Sequence, residues 1–161
     1  MKKLLLLFIA PLVLFSCSKD DEQVSDDSLT TYSQPNLHLG DSEEAVIADL
    51  GEPDLTFSAD NVRMKWTFMS DTPGWHSIVY NFISGEVNST EVNFTGSEEN
   101  LSFLKTHLEN LYGSPGEPWE NGGLIGLRYP VRYPLTDLHY SEDADVIFID
   151  YSDIDNPNVT E

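Results

Sequence analysis

The sequence predicts an α+β domain: an antiparallel sheet of about five strands with two helices on one face, in the order α-β-β-β-α-β-β. Three observations lead there. Two segments carry apolar residues at helical spacing, each stopped by a Gly-x-Pro group. Between them lie three stretches of strict apolar–polar alternation with short turn-forming links. Two further apolar stretches follow the second helix. Short links between successive strands favour antiparallel pairing, and helices that share a sheet's core bury their stripes against one face.

The first helix opens at Leu39-Gly40-Asp41-Ser42. Asp41 or Ser42 serves as its cap, and Glu43 and Glu44 sit in the first turn, where the helix dipole favours them. Val46, Ile47 and Leu50 share a face, Gly51 ends the helix, and Pro53 prevents its return. In the first strand Val62, Met64, Trp66 and Phe68 alternate with Arg63, Lys65 and Thr67. The turn Asp71-Thr72-Pro73-Gly74 leads to a strand marked by Ile78, Tyr80 and Phe82. After Ser84-Gly85, Val92 and Phe94 mark the third strand, with Val87 out of phase, which suggests a bulge.

The second helix is expected from Ser97 to Tyr112. Leu101, Leu104, Leu108 and Leu111 recur on one face, widened by Phe103 and Tyr112, and Gly113 and Pro115 end it. Ile125, Leu127 and Tyr129 alternate in the fourth strand, and residues 146–151 form the fifth. A weak internal duplication is legible in the two helix ends, Leu50-Gly51-Glu52-Pro53 and Tyr112-Gly113-Ser114-Pro115, although generic helix-stop chemistry accounts for them equally.

Charge excludes whole classes of function. The 161 residues hold 28 acidic and 8 basic side chains, a formal net charge of −20. Nucleic-acid binding needs clustered Lys and Arg, and so does adsorption to anionic lipid, so neither fits. A hydrophobic content of 40% supports a packed core and argues against global disorder.

Residues 1–16 read as a signal peptide. Lys2 and Lys3 form a basic start, and the apolar run Leu4 to Leu14 is too short to span a bilayer. Leu14-Phe15-Ser16-Cys17 resembles the bacterial lipobox, in which the peptide is cut before the cysteine and the thiol is acylated. Phe15 departs from the usual small residue there. Cys17 is the chain's one cysteine, so it forms no internal disulfide framework or zinc site. The following Lys19, Asp20, Asp21 and Glu22 resemble the surface-export signal of Bacteroidota lipoproteins. These resemblances imply an outer-membrane protein held by lipid, facing the cell surface or the periplasm. Cleavage would remove Lys2 and Lys3 and no acid, taking the charge from −20 to −22.

The expected organisation is therefore a signal peptide at 1–16, an acylated cysteine and flexible acidic tether at 17–36, one domain at 37–151, and an acidic tail at 152–161. The tether expectation rests on composition, since residues 18–36 are rich in Ser, Asp, Thr, Gln and Asn.

Residues Leu39 to Pro53 resemble the SmpA/OmlA (BamE-like) lipoprotein pattern: a glycine opening a short helix with a valine inside, closed by Leu-Gly-x-Pro. Trp66 and the Ser84-Gly85 turn are also similar, so the resemblance covers roughly residues 37–94. Asp41 stands where that family usually has methionine. The same helix–Gly–Pro unit recurs in beta-lactamase-inhibitor-like modules. The resemblance implies the fold and the lipid anchor; an accessory role in outer-membrane assembly is a further expectation of the family.

No catalytic constellation is legible. His38, His76, His107 and His139 are far apart and outside metal-ligand spacing. Asp137 and His139 could share a strand face, but no nucleophile motif stands near them. Asp143, Asp145, Asp150, Asp153 and Asp155 invite calcium, yet lack the glycine and distal glutamate of an EF-hand loop, and read better as solvated carboxylates. The expectation is no cofactor and no metal. Trp75, Trp119 and Tyr133 fall in or near loops, where they would either contact a partner or cover the sheet ends. The expected function is a non-enzymatic, lipid-anchored module that binds a protein. An envelope-assembly accessory, an inhibitor or immunity-like module, and a carbohydrate binder are the alternatives.

Overall fold

A computed structural model of the chain describes residues 27–60 and 62–153. The expected signal peptide, Cys17, the export signal Lys19, Asp20, Asp21 and Glu22, and most of the acidic tail lie outside the described residues.

The order is α1 (Glu43–Leu50), β1 (Leu55–Ser58), β2 (Arg63–Met69), β3 (Trp75–Ile83), β4 (Glu86–Phe94), α2 (Glu98–Tyr112), β5 (Trp119–Asn121), β6 (Leu124–Arg128), β7 (Leu135–Ser141) and β8 (Ile147–Ser152). All eight strands form one antiparallel sheet in the order β1-β2-β3-β4-β8-β7-β6-β5. This corrects the expected five-strand sheet and its α-β-β-β-α-β-β order; the fold is mostly β. The three strands missed are β1, β5 and β7. Every residue of β1 is exposed, so no alternation marks it. β5 has only three residues. In β7 the inward residues Thr136, Leu138 and Tyr140 include a hydroxyl, and outward Asp137 and His139 disguise the pattern.

The element order repeats. Each half is one helix followed by four strands, and the sheet order reads the same from either edge, with β4 and β8 paired at the centre. The helix ends repeat too. Ser42 and Ser97 each cap a helix by accepting a backbone N–H from the third residue on, Ala45 and Asn100. Gly51 (φ 83°) and Gly113 (φ 88°) close them in the left-handed region that glycine adopts without strain.

Both helices cover the same face. Val46 of α1 packs with Trp66, Tyr80, Phe82 and Val87. Leu101, Leu104 and Leu108 of α2 pack with Val92, Phe94, Leu127, Leu138, Ile147, Ile149 and Tyr151. Leu111 departs from its expected place in that stripe and is exposed. The out-of-phase Val87 does mark a bulge: Asn81 pairs with Ser89 and Phe82 with Val87, so Asn88 is the extra residue on β4.

Residues 27–36 differ from the flexible tether expected of them. Leu29, Tyr32 and Leu37 are buried in the α2-side core. Asn100 anchors the segment: its Oδ1 accepts from the Leu29 N–H at 2.8 Å, and its Nδ2 donates to the Asp27 carbonyl at 3.1 Å. Composition hides this, because two apolar side chains in a polar stretch suffice when the fold supplies their pocket.

Candidate functional site

Among the described residues no helix covers the other face of the sheet, and strand pairing arranges its side chains in rows. One row crosses seven strands: Leu55, Thr67, Val79, Glu91, Asp150, Asp137 and Arg128 are successive register partners from β1 to β6. A parallel row carries Phe57, Lys65, Asn81 and Ser89. Another carries Asn93, Phe148, His139 and Gly126.

Three carboxyls therefore sit side by side at the centre: Glu91 on β4, Asp150 on β8 and Asp137 on β7. Paired strands lie about 5 Å apart, and like charges directly opposite repel. The outer two are compensated. Arg128 grips Asp137 with both arms, Nε to Oδ1 at 2.9 Å and Nη2 to Oδ2 at 2.8 Å. Lys65 lies 3.2 Å from Glu91, and the Asn81 amide donates to the same oxygen at 2.9 Å. Asp150 has no ion pair among the described residues, and its Oδ1 is buried without a hydrogen-bond partner. Burial first, then the charges of Glu91 and Asp137, hold its carboxyl up to about 7, although Ser89 offers it a hydrogen bond.

A cavity of about 490 Å³ opens on this face beside Asp150. Phe57 stands on one side and Phe148 with His139 on the other. His139 stacks on Phe148, with ring centroids 4.6 Å apart, and meets the Trp119 ring edge-on at 5.2 Å. Burial lowers the His139 pKa, which keeps the ring neutral and suited to stacking. Asp137 and His139 do share a face, but Asp137 is committed to Arg128 and His139 to this aromatic stack. That is not the geometry of an acid–base pair.

The aromatic residues singled out in the sequence do not converge. Trp75 packs against Tyr32 and Phe94 on the helix side. Trp119 lies opposite Gly126, where a Cβ would collide with the indole; the ring covers the glycine and borders the open face. Tyr133 is exposed, precedes cis Pro134, and borders a separate groove with residues 34–39 and Asp41. The acidic run is dispersed as well. Asp143 and Asp145 lie in the β7–β8 turn, Asp150 is mid-sheet, and Asp155 is outside the described residues. No group of three metal-type ligands occurs among the described residues.

Sequence reasoning missed Glu91 and the Arg128–Asp137 pair, and read Asp150 only as one carboxylate of an acidic run. The signal was present in β8, where Ile147, Ile149 and Tyr151 point inward and necessarily turn Phe148 and Asp150 outward.

No family model matches the chain, and no curated protein matches it. Among solved structures it is similar to YjgB, a DUF4309-family protein of Bacillus subtilis, at 16% identity and TM-score 0.51, over 80% of this chain and 89% of that one. That likeness is one of fold. An extracellular SCP-domain protein of Bacillus anthracis matches at 12% identity and TM-score 0.47, over 78% of this chain and 50% of that one. A cysteine-rich secretory protein of Staphylococcus aureus matches at 8% and 0.41, over 73% and 45%. The chain thus spans about half the length of these last two. None of the three is described as an enzyme, and two are described as extracellular or secretory. Among the described residues no helix is long and apolar enough to cross a membrane.

Proposed function

We propose that the protein is a lipid-anchored lipoprotein of the cell envelope that binds a protein partner through the bare face of its sheet. The observation that carries this reading is the segregation of the helices. Both cover one face, so the other presents a broad surface with exposed Leu55, Phe57 and Met69 around a charged centre. Exposed apolar side chains grouped on one sheet face mark an interaction surface, and the carboxyls at its centre give a partner a charge to complement.

The anchor reading rests on Leu14-Phe15-Ser16-Cys17 and on Lys19, Asp20, Asp21 and Glu22. Residues 27–32 lie on the helix side, so a tether to Cys17 would start opposite the docking face and leave that face free. Acylation at one cysteine with several chains would hold the protein despite its charge.

Two measurements test this reading. Metabolic labelling with a palmitate analogue should mark the wild type and leave Cys17→Ala unlabelled; label on both would end the anchor reading. Affinity capture from detergent extracts should return a partner that Phe57→Asp/Phe148→Asp loses and Leu111→Asp, on the exposed side of α2, retains. Equal capture by both variants would remove the docking face.

A further inference from the structure

We propose that the cavity on the open face receives an arginine side chain of the protein partner, seated against Asp150. This rests on the docking reading above and names the chemistry of its centre.

The first argument is the pairing of charges. Glu91 is paired with Lys65 and Asp137 with Arg128, while Asp150, register partner of both carboxyls, has no ion pair of its own among the described residues and feels Lys65 and Arg128 only at longer range. The other charges near the cavity do not fill that place. Arg63 stands at its rim, largely exposed, with Asp60 at 4.0 Å. His139 is held neutral in its aromatic stack. None of the described basic side chains makes an ion pair with Asp150, and an excess of 28 acids over 8 basic residues favours a cation supplied by a partner.

The second argument is the sense of the missing hydrogen bonds. Asn81 donates from Nδ2 to the Glu91 carboxylate and to Ser89 Oγ, which fixes its amide, and its Oδ1 has no partner. Asn88, the bulge residue, lines the same cavity at 8% exposure, and its Oδ1 has no partner either. Together with Oδ1 of ionised Asp150, three acceptors at this cavity are unmatched. A buried acceptor without a donor is unfavourable, so the matching group is a multiple donor. Guanidinium carries five N–H donors and a flat face that stacks on aromatic rings, which Phe57 and Phe148 provide. Bulge geometry gives the acceptors room to turn toward such a group.

The third argument is size. At about 490 Å³ the cavity is far larger than a single ion needs and lies within the roughly 300–1,000 Å³ of ligand pockets. It suits a side chain carried on a partner loop, with the rest of the sheet face supplying contact area.

The test uses the full ¹⁵N-labelled chain in detergent micelles, titrated with N-acetyl-arginine amide, the neutral citrulline analogue, and calcium chloride. The arginine probe should shift the amides of Glu91 and Asp150 saturably. Citrulline should bind at least tenfold more weakly, and calcium should leave those resonances in place. Asp150→Asn should weaken the arginine probe at least tenfold, while Glu109→Gln on α2 leaves it unchanged. No saturable shift, equal binding of citrulline, an equal response to calcium, or full affinity in Asp150→Asn would each overturn the proposal. If Phe57→Asp/Phe148→Asp loses the partner and Asp150→Asn keeps it, this inference fails and the docking face stands. If no variant changes capture, the docking face fails first.

Discussion

The hydroxyls of Tyr32 and Tyr151 lie 2.6 Å apart, buried, and separated by 119 residues of chain. Tyr32 comes from the segment before the first helix, and Tyr151 from β8, the central strand of the second half. Tyr32 also touches Trp75, Phe94 and His107. Burial raises the pKa of both phenols, so each stays protonated and one donates to the other.

That contact makes the N-terminal segment part of the domain. Tyr32→Ala should destabilise the protein by about 3 kcal/mol, the cost of emptying a buried aromatic site. Tyr32→Phe should cost about 1–2 kcal/mol, because the Tyr151 hydroxyl loses its partner. Denaturant midpoints at constant m-value measure both; midpoints unchanged in Tyr32→Ala would show the segment detached in solution.

The Arg128–Asp137 pair supports the centre of the open face. Asp137 is buried while the Arg128 side chain is 55% exposed. Removing Arg128 leaves a buried carboxylate without its cation, a loss of about 3–5 kcal/mol in a dry interior and less where solvent screens it. Arg128→Met should therefore cost roughly 1–3 kcal/mol near neutral pH. Asp137→Asn in the same background should recover part of it. Failure of the double variant to recover any stability would separate the pair's energetics from its geometry.

Asp150 predicts a pH dependence of stability. Its folded-state pKa of about 7 lies above the ordinary value of 3.8. Between those values the folded protein binds a proton that the unfolded chain has lost, so stability falls as pH rises from about 4 to about 7. The fall is on the order of 4 kcal/mol at most. Asp150→Asn should flatten that slope and be the more stable protein at pH 8. Urea melts at pH 5 and pH 8 read the difference; parallel slopes for the two proteins would contradict it.

Two glycines should respond oppositely to substitution. A Cβ at Gly96 would collide with the backbone of Asp145 and Ala144, where the start of α2 meets the β7–β8 turn. Gly96→Ala should cost about 1–3 kcal/mol. Gly122, at φ 59° in the β5–β6 turn with nothing within 4 Å of its Cβ position, should accept Asn at less than about 1 kcal/mol. Thermal melts of the two variants check the ranking.

The sequence by itself determined the local elements whose signals are local. The Ser97 cap, both Gly stops, the alternation in β2 and β3, and the bulge at Val87 follow from neighbouring residues, and the structure has each of them; between Asp41 and Ser42 the structure chose Ser42 as the first cap. The lipobox-like resemblance around Cys17 is equally local and lies outside the described residues. What only the tertiary structure decided depends on pairing between distant segments. β1 and β5 exist because β2 and β6 offer them an edge, since neither buries enough apolar surface to be marked in the sequence. Residues 27–36 are ordered because α2 and β8 supply a pocket for Leu29 and Tyr32. The candidate site is wholly of this kind. Glu91, Asp137 and Asp150 lie on three strands, and Asp150 reads in the sequence as one more carboxylate of an acidic run. It becomes a partly buried acid without an ion pair of its own only when β8 is seated between β4 and β7, with Glu91 and Asp137 each already holding a partner.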